Sequence, residues 1–189
     1  MGLSIRTLPE GFPRLETTRL LLRAFELADA SRVKLLAGDR AVAATTARIP
    51  HPYPDGEAER WIATHAIAFA EGRGVNLAIV RRGDDLLVGS IGLEIQPWHG
   101  RAEVGYWIGR EFWGQGYATE ALRAVLDYGF GRGLRRIWAE HFATNPASGR
   151  VLQKAGMRHE GTLRQHMLKW GEPMDCEVYG LLAEEFRRE

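Results

Sequence analysis

A chain of 189 residues with 45% hydrophobic composition can bury one full core and is too short to need two, so residues 1–189 are read as a single domain. Its 25 basic and 24 acidic residues nearly cancel, which removes a bulk field for nucleic acid or for an anionic membrane. The lone cysteine, Cys176, rules out an intrachain disulfide and a multi-cysteine metal site, and it fits a reducing, cytoplasmic setting. The opening run MGLSIRTLPEGFPRL lacks the apolar core of a signal peptide, Arg6 breaks the acylation pattern that Gly2 would begin, and no apolar run reaches membrane-spanning length. A soluble, unexported protein is expected.

In chain order, Leu15 to Arg23 (LETTRLLLR) reads as a short strand. Asp29 opens a helix with Ala30, Val33, Leu36 and Ala37 on its apolar side and Gly38 at its end. His51-Pro-Tyr-Pro54 is a loop, because each proline holds the residue before it extended. From Asp55 to Glu71 the residues Ala58, Trp61, Ile62, His65, Ala66 and Phe69 line one face of a second helix, stopped at Gly72. Asn76–Arg81 and Leu86–Leu93 are strands joined by a hairpin turn at Arg82–Asp85; after a turn at Pro97–Gly100, Ala102–Ile108 completes an antiparallel meander. Beyond Gly116 the residues Ala118, Ala121, Leu122, Val125 and Leu126 recur at helical spacing, and this helix crosses to Arg136–Phe142, predicted to run parallel to the strand before the helix. Asn145–Ser148 starts another helix with Val151, Leu152 and Ala155 inward, and Met157–Leu182 gives two strands about a turn near Gly171–Pro173.

Gly114 and Gly116 flank Gln115 where the central helix begins, so backbone N–H groups face outward with no side chain in the way. That geometry suits an anion, above all a phosphate. The loop has neither the Lys-Ser/Thr ending of a P-loop nor the spacing of a dinucleotide fingerprint. The stretch GYWIGREFWGQGYATEAL resembles the cofactor-binding motif of the GNAT N-acetyltransferases, particularly the branch of ribosomal-protein N-acetyltransferases. TTRLLLRAFELADA, NPASGRVLQKAGM and EVYGLL resemble the same branch. The resemblance implies an α/β fold with a mixed central sheet of about seven strands flanked by helices. It implies acetyl-coenzyme A as cosubstrate and no metal. The pyrophosphate would lie on the helix start at Gly114, Gln115, Gly116, Tyr117, Ala118 and Thr119, and the pantetheine arm along a free backbone edge at Tyr106, Trp107 and Ile108. Asn145 would contact the pantetheine amides, and Lys154 either reaches a phosphate or is a solvated surface lysine. One departure from the family pattern stands out: its Gln or Arg at the head of the loop is Glu111 here.

Attack of an amine on a thioester needs a base, a holder for the oxyanion and stabilisation of the departing thiolate. By resemblance Glu103 takes the amine's proton, directly or through water; the alternative is a strand-edge carboxylate paired with an arginine. Ser148 lies near the thioester sulfur in the same comparison, and Leu152 stands where other superfamily members carry a tyrosine acid. Ser148 is therefore read as the acid or hydrogen-bond donor, against the alternative of a helix-start residue beside Asn145. Backbone N–H groups around Tyr106 to Ile108 are the candidate oxyanion donors.

Acceptor choice is assigned to the Ala41–Asp55 segment, with Arg48, His51 and Tyr53 as polar candidates and plain loop packing as the alternative. The branch implies a protein or peptide N-terminal α-amino group, and an α-amino pKa of about 8, against about 10.4 for lysine, leaves enough neutral amine for a weak base. A small amine (polyamine, amino acid or antibiotic) and a non-catalytic acyl-coenzyme A sensor are the alternatives, and many relatives are homodimers. The six histidines show no paired one-turn spacing of a zinc site, and His141 is read as a structural histidine near the site. Trp98, Trp107, Trp113, Trp138 and Trp170 are read as core or cleft-wall residues rather than a base-stacking platform.

Overall fold

The computed structural model describes residues 11–186, so the reading of the first ten residues lies outside it. Eight strands form one sheet: β1 (Leu15–Glu16), β2 (Leu20–Ala24), β3 (Gly74–Arg81), β4 (Leu86–Gln96), β5 (Arg101–Ile108), β6 (Arg136–Phe142), β7 (Arg158–Lys169) and β8 (Glu172–Leu182). Their order is β1-β2-β3-β4-β5-β6-β8-β7, and only β5 and β6 run parallel. The helices are α1 (Ala30–Ala37), α2 (Arg40–Ala44), α3 (Glu57–Ala70), α4 (Tyr117–Gly131) and α5 (Pro146–Lys154). The expected meander, crossover helix and parallel return strand are all present. Among the described residues no helix is long and apolar enough to cross a membrane.

The departures from the sequence reading are local. LETTRLLLR is a tight hairpin rather than one strand, which raises the count from about seven to eight. Thr17 causes the turn: its N–H donates to the Leu20 carbonyl at 2.9 Å, and its hydroxyl accepts from Leu20 N–H at 2.9 Å. Between α1 and α3, Asp39 caps the short helix α2 by accepting from Ala41 N–H at 2.7 Å. On α3 the buried stripe is Ala58, Ile62, His65 and Phe69, while Ala66, at the stripe's edge, is exposed.

The core lies on both faces of the sheet. On α4 the residues Ala121, Leu122, Val125 and Leu126 are fully buried, and Leu93 and Ile137 of the sheet close against this helix at Gly129. Each of the leucine, valine and isoleucine side chains among them contributes about 1.5–3 kcal/mol of burial free energy. This packing fixes the start of α4 relative to the end of β5, the junction from which the site is built. Trp98 is 98% exposed on the β4–β5 connection, so it is neither core nor cleft wall.

Candidate active site

Strand β5 pairs with β4 along its whole length, from Gly89↔Ile108 to Gln96↔Arg101. On its other side it pairs with β6 only at Arg101↔Arg136, Ala102↔Ile137 and Glu103↔Trp138. Beyond Glu103 the two strands diverge, because β6 follows β8 from Arg136↔Leu182 to Phe142↔Cys176. The β6-facing edge of β5 from Val104 to Ile108 is left without a strand partner. This divergence opens a cleft of about 1050 Å³ running from the α4 start to the loop after α2.

At one mouth of the cleft Gly114 (φ +75°) and Gly116 (φ +83°) adopt left-handed backbone that favours glycine. A Cβ on Gly114 would meet nothing within 4 Å, so an approaching group finds the backbone bare. Gly116 provides no side-chain cap, and the first rung of the α4 ladder is Glu120 N–H to Gly116 C=O at 3.1 Å. The N–H groups of Tyr117, Ala118 and Thr119 precede that ladder and carry the positive end of the helix dipole. Arg19 braces the loop from outside: it donates to the Gln115 carbonyl at 2.9 Å, pairs with Glu120 at 2.7 Å and covers the Tyr117 ring. Glu111, the departure from the family loop, is neutralised by Arg32 at 2.9 Å. A phosphate-bearing ligand with a slim amide arm fits both features, the bare helix start and the free β5 edge. Residues Gly114, Gly116, Tyr117, Ala118 and Thr119 border the helix start, and Tyr106, Trp107, Ile108 and Asn145 border the gap beside the free edge.

All of these residues line the cleft, as do Lys154, Glu103, Ser148, Arg48 and Tyr53. Two expected residues do not. The Gln115 side chain turns back to donate to the Glu111 carbonyl at 3.1 Å, and His51 sets Nδ1 3.2 Å from the Gly38 carbonyl. The Ile108 carbonyl is occupied by the Trp113 indole N–H at 2.7 Å. Trp107 and Trp113 form cleft wall, as read.

Glu103 is the last residue of the β5–β6 pairing and stands directly across from Glu94 on β4. Burial pushes its carboxyl above the usual carboxylate range; nearby Glu140 adds to this, Arg48 opposes it and Glu94 adds further. Arg48, the arginine that acts on Glu103, makes its hydrogen bond to Glu94, at 3.0 Å. Glu94 and Glu140 escaped the sequence reading. No motif contains them, and only the strand register places them with Glu103. Glu140 Oε2 is buried without a hydrogen bond, 3.7 Å from His166 Nε2.

Asn145 is the cap of α5: its Oδ1 accepts from Ser148 N–H at 3.4 Å. The Ser148 hydroxyl takes no part in capping. It lies 2.7 Å from the Tyr106 hydroxyl, and burial pushes the Tyr106 phenol up to about 12. His141 Nδ1–H donates to the Phe142 carbonyl, 2.8 Å away, while Nε2 is buried without a partner, so this histidine is only half satisfied. Gly149 admits it: a Cβ there would lie 2.9 Å from His141 Nε2. Cys176 also lines the cleft, but burial and Glu140 raise its thiol to about 11, which keeps it protonated and unreactive. Among the described residues no group of three His, Cys, Asp or Glu side chains is arranged to hold a metal ion.

Comparison with known proteins agrees with this geometry. The acetyltransferase (GNAT) domain family matches residues 19–158. The N-acetyltransferase YoaA of Bacillus subtilis is 38% identical over 173 residues, spanning 90% of this chain and 97% of its own. The ribosomal-protein-serine acetyltransferase of Escherichia coli is 36% identical over 84 residues, 43% of this chain and 47% of its own. The structure of RimL, a ribosomal α-N-protein acetyltransferase in complex with coenzyme A, superposes with a TM-score of 0.83 at 20% identity, covering 90% of this chain and 98% of that one, which establishes a common fold. With a diverging β5–β6 pair, a bare helix start at its mouth and a family match across most of its length, this chain belongs to the GNAT acetyltransferases, enzymes that transfer an acyl group from acetyl-coenzyme A to an amine.

Proposed function

We propose that the protein transfers acetyl from acetyl-coenzyme A to a protein or peptide N-terminal α-amino group, with Glu103 as the base and Ser148 beside the sulfur. The observation that carries this reading is the position of Glu103, at the point where β5 and β6 part, facing the cleft with its carboxyl raised above the usual range. Bound acetyl-coenzyme A supplies an acyl group activated as a thioester. Glu103 takes the proton of the incoming amine, directly or through one water, and its raised pKa brings it nearer to that of the ammonium it relieves. The free N–H groups of β5 around Tyr106 to Ile108 face the developing negative charge on oxygen. Arg48 and Tyr53 line the acceptor end, and Lys154 the cofactor end. The same reading takes residues 1–189 as one catalytic domain, at work in a reducing cytoplasm to which the buried Cys176 is suited, as a monomer or homodimer.

A second acceptor class is favoured by one observation. Glu94, Glu103 and Glu140 line the acceptor end, and the cations beside them, Arg48 and Arg73, are already paired to Glu94 and Glu71. Such a cavity attracts a small amine that carries a further positive charge. A thiol-release assay with acetyl-coenzyme A against N-terminal peptides, polyamines, amino acids and aminoglycosides, run beside calorimetric titration of coenzyme A, separates the classes. Turnover of peptides above all others is expected. Turnover of polyamines alone would transfer the assignment to the second class, and cofactor binding with no turnover on any acceptor would favour a sensor.

A further inference from the structure

Tyr106 spans the divergence between β5 and β6. Its backbone belongs to the free edge, and its ring reaches across the gap to the first turn of α5. The phenol has one proton and two acceptors within reach, Ser148 Oγ at 2.7 Å and the Ser148 carbonyl at 3.2 Å. Only the shorter contact lies within the usual O–H···O range. A phenol is also a better proton donor than an aliphatic alcohol, so in the short bond Tyr106 donates and Ser148 accepts. Among the described residues the Ser148 hydroxyl has no other hydrogen-bond partner. Its own proton is therefore free to turn into the cleft.

We propose that Tyr106 is a positioning residue for acyl transfer: it donates to Ser148 Oγ and so fixes the Ser148 O–H toward the sulfur that leaves. The inference rests on the reading that Ser148 lies beside that sulfur. As the C–N bond forms and the C–S bond breaks, the electron pair stays on sulfur, the amine proton passes to Glu103, and Ser148 stabilises the thiolate by donation. Tyr106 keeps its proton throughout. Bonded in series, the two hydroxyls polarise one another, so Ser148 is a stronger donor than an isolated serine.

The test uses wild type, Y106F, S148A and the double variant, each loaded with reduced coenzyme A, whose bound thiol is titrated by the ultraviolet absorbance of its thiolate. Wild type is expected to titrate below free coenzyme A, S148A close to it and Y106F in between, with the double variant matching S148A. In turnover, Y106F is expected to lose about three- to tenfold in kcat, the worth of one hydrogen bond, with KM for acetyl-coenzyme A unchanged. No further loss is expected when Y106F is added to S148A. A structural strut would give multiplying losses and an unmoved thiol titration, and that result overturns the proposal. If S148A itself changes neither the thiol titration nor turnover while coenzyme A still binds, the assignment of Ser148 has failed, and the role of Tyr106 fails with it. Should Y106F not fold, fluorotyrosine at position 106, a stronger donor, is expected to lower the bound thiol's pKa further, and no change there would also overturn the proposal.

Discussion

Replacing Glu103 by glutamine keeps the shape of the side chain and removes its capacity to take a proton. An α-amino group with a pKa of about 8 is roughly nine-tenths ammonium at pH 7, so the variant must rely on about the one-tenth that is already neutral. Adding the loss of the base within the reactive step, E103Q is expected to fall about 10- to 100-fold in kcat/KM at pH 7. The deficit is expected to shrink about tenfold by pH 9, where the free amine is mostly neutral. Coenzyme A affinity by calorimetry should stay at the wild-type value, because the start of α4, where we propose the phosphates bind, lies at the other end of the cleft. A deficit that is equal at both pH values, or one accompanied by a parallel loss of coenzyme A binding, would refute the base assignment and leave Glu103 as a structural carboxylate.

Because Glu140 and Glu94 raise the Glu103 carboxyl and Arg48 lowers it, E140Q should move the acid limb of the kcat/KM profile down in pH, E94Q should move it less, and R48M should move it up. An R32A variant leaves Glu111 uncompensated beside the loop proposed to hold the phosphates and should weaken coenzyme A about two- to fivefold by calorimetry, with E111Q restoring it. His65, 4% exposed between Phe25 and Trp61, has both ring nitrogens without partners and a pKa lowered from 6.5 to about 4 by burial. The unfolded chain therefore binds the proton first: stability is full above pH about 6.5 and is lost as pH falls toward about 4, by up to about 3 kcal/mol. H65L should flatten that dependence in denaturant melts at pH 7 and pH 4.5. Glu120 accepts from Thr17, Arg19 N–H and the Arg19 guanidinium, at 2.6, 2.8 and 2.7 Å. E120A should cost about 2–3 kcal/mol of unfolding free energy by removing the anchor of the β1–β2 turn on α4.

The β5–α4–β6 unit was legible because its signals are local. Val104, Tyr106 and Ile108 alternate, two glycines break the chain, and five apolar residues follow at helical spacing. The β1–β2 turn was hidden because threonines are good strand formers and no glycine or proline marks it, the turn being made by a hydroxyl. Helix α2 is five residues long, too short for any periodicity, and Asp39 was its only sign. Ser148 and Asn145 could be named from a segment, but their division of labour could not: that Asn145 caps while Ser148 bonds to Tyr106 depends on a contact 42 residues apart in sequence. The same holds for the acceptor end. Arg48 could be named as a polar candidate for the acceptor, but its pairing with Glu94, 46 residues away, could not. Residues brought together by register leave no trace in local pattern.

An open sheet ordinarily keeps its unpaired backbone at its flanks, where other chains can add to it. Here one flank is β7, twelve residues long, with irregular pairing near Gly161 and again between Leu163 and Met167, and with charged side chains along it, features that discourage an added strand. The free edge of β5 is such a stretch too, and it lies in the interior of the sheet. Its neighbours cannot slide together to heal it, because β4 grips β5 from one side and β8 grips β6 from the other. Nor can a foreign strand enter, since Tyr106 and Ser148 bar the gap partway along and alternating side chains need room on both faces. The backbone edge proposed to receive the cofactor is thus also shielded from the polymerising contacts that exposed edges invite.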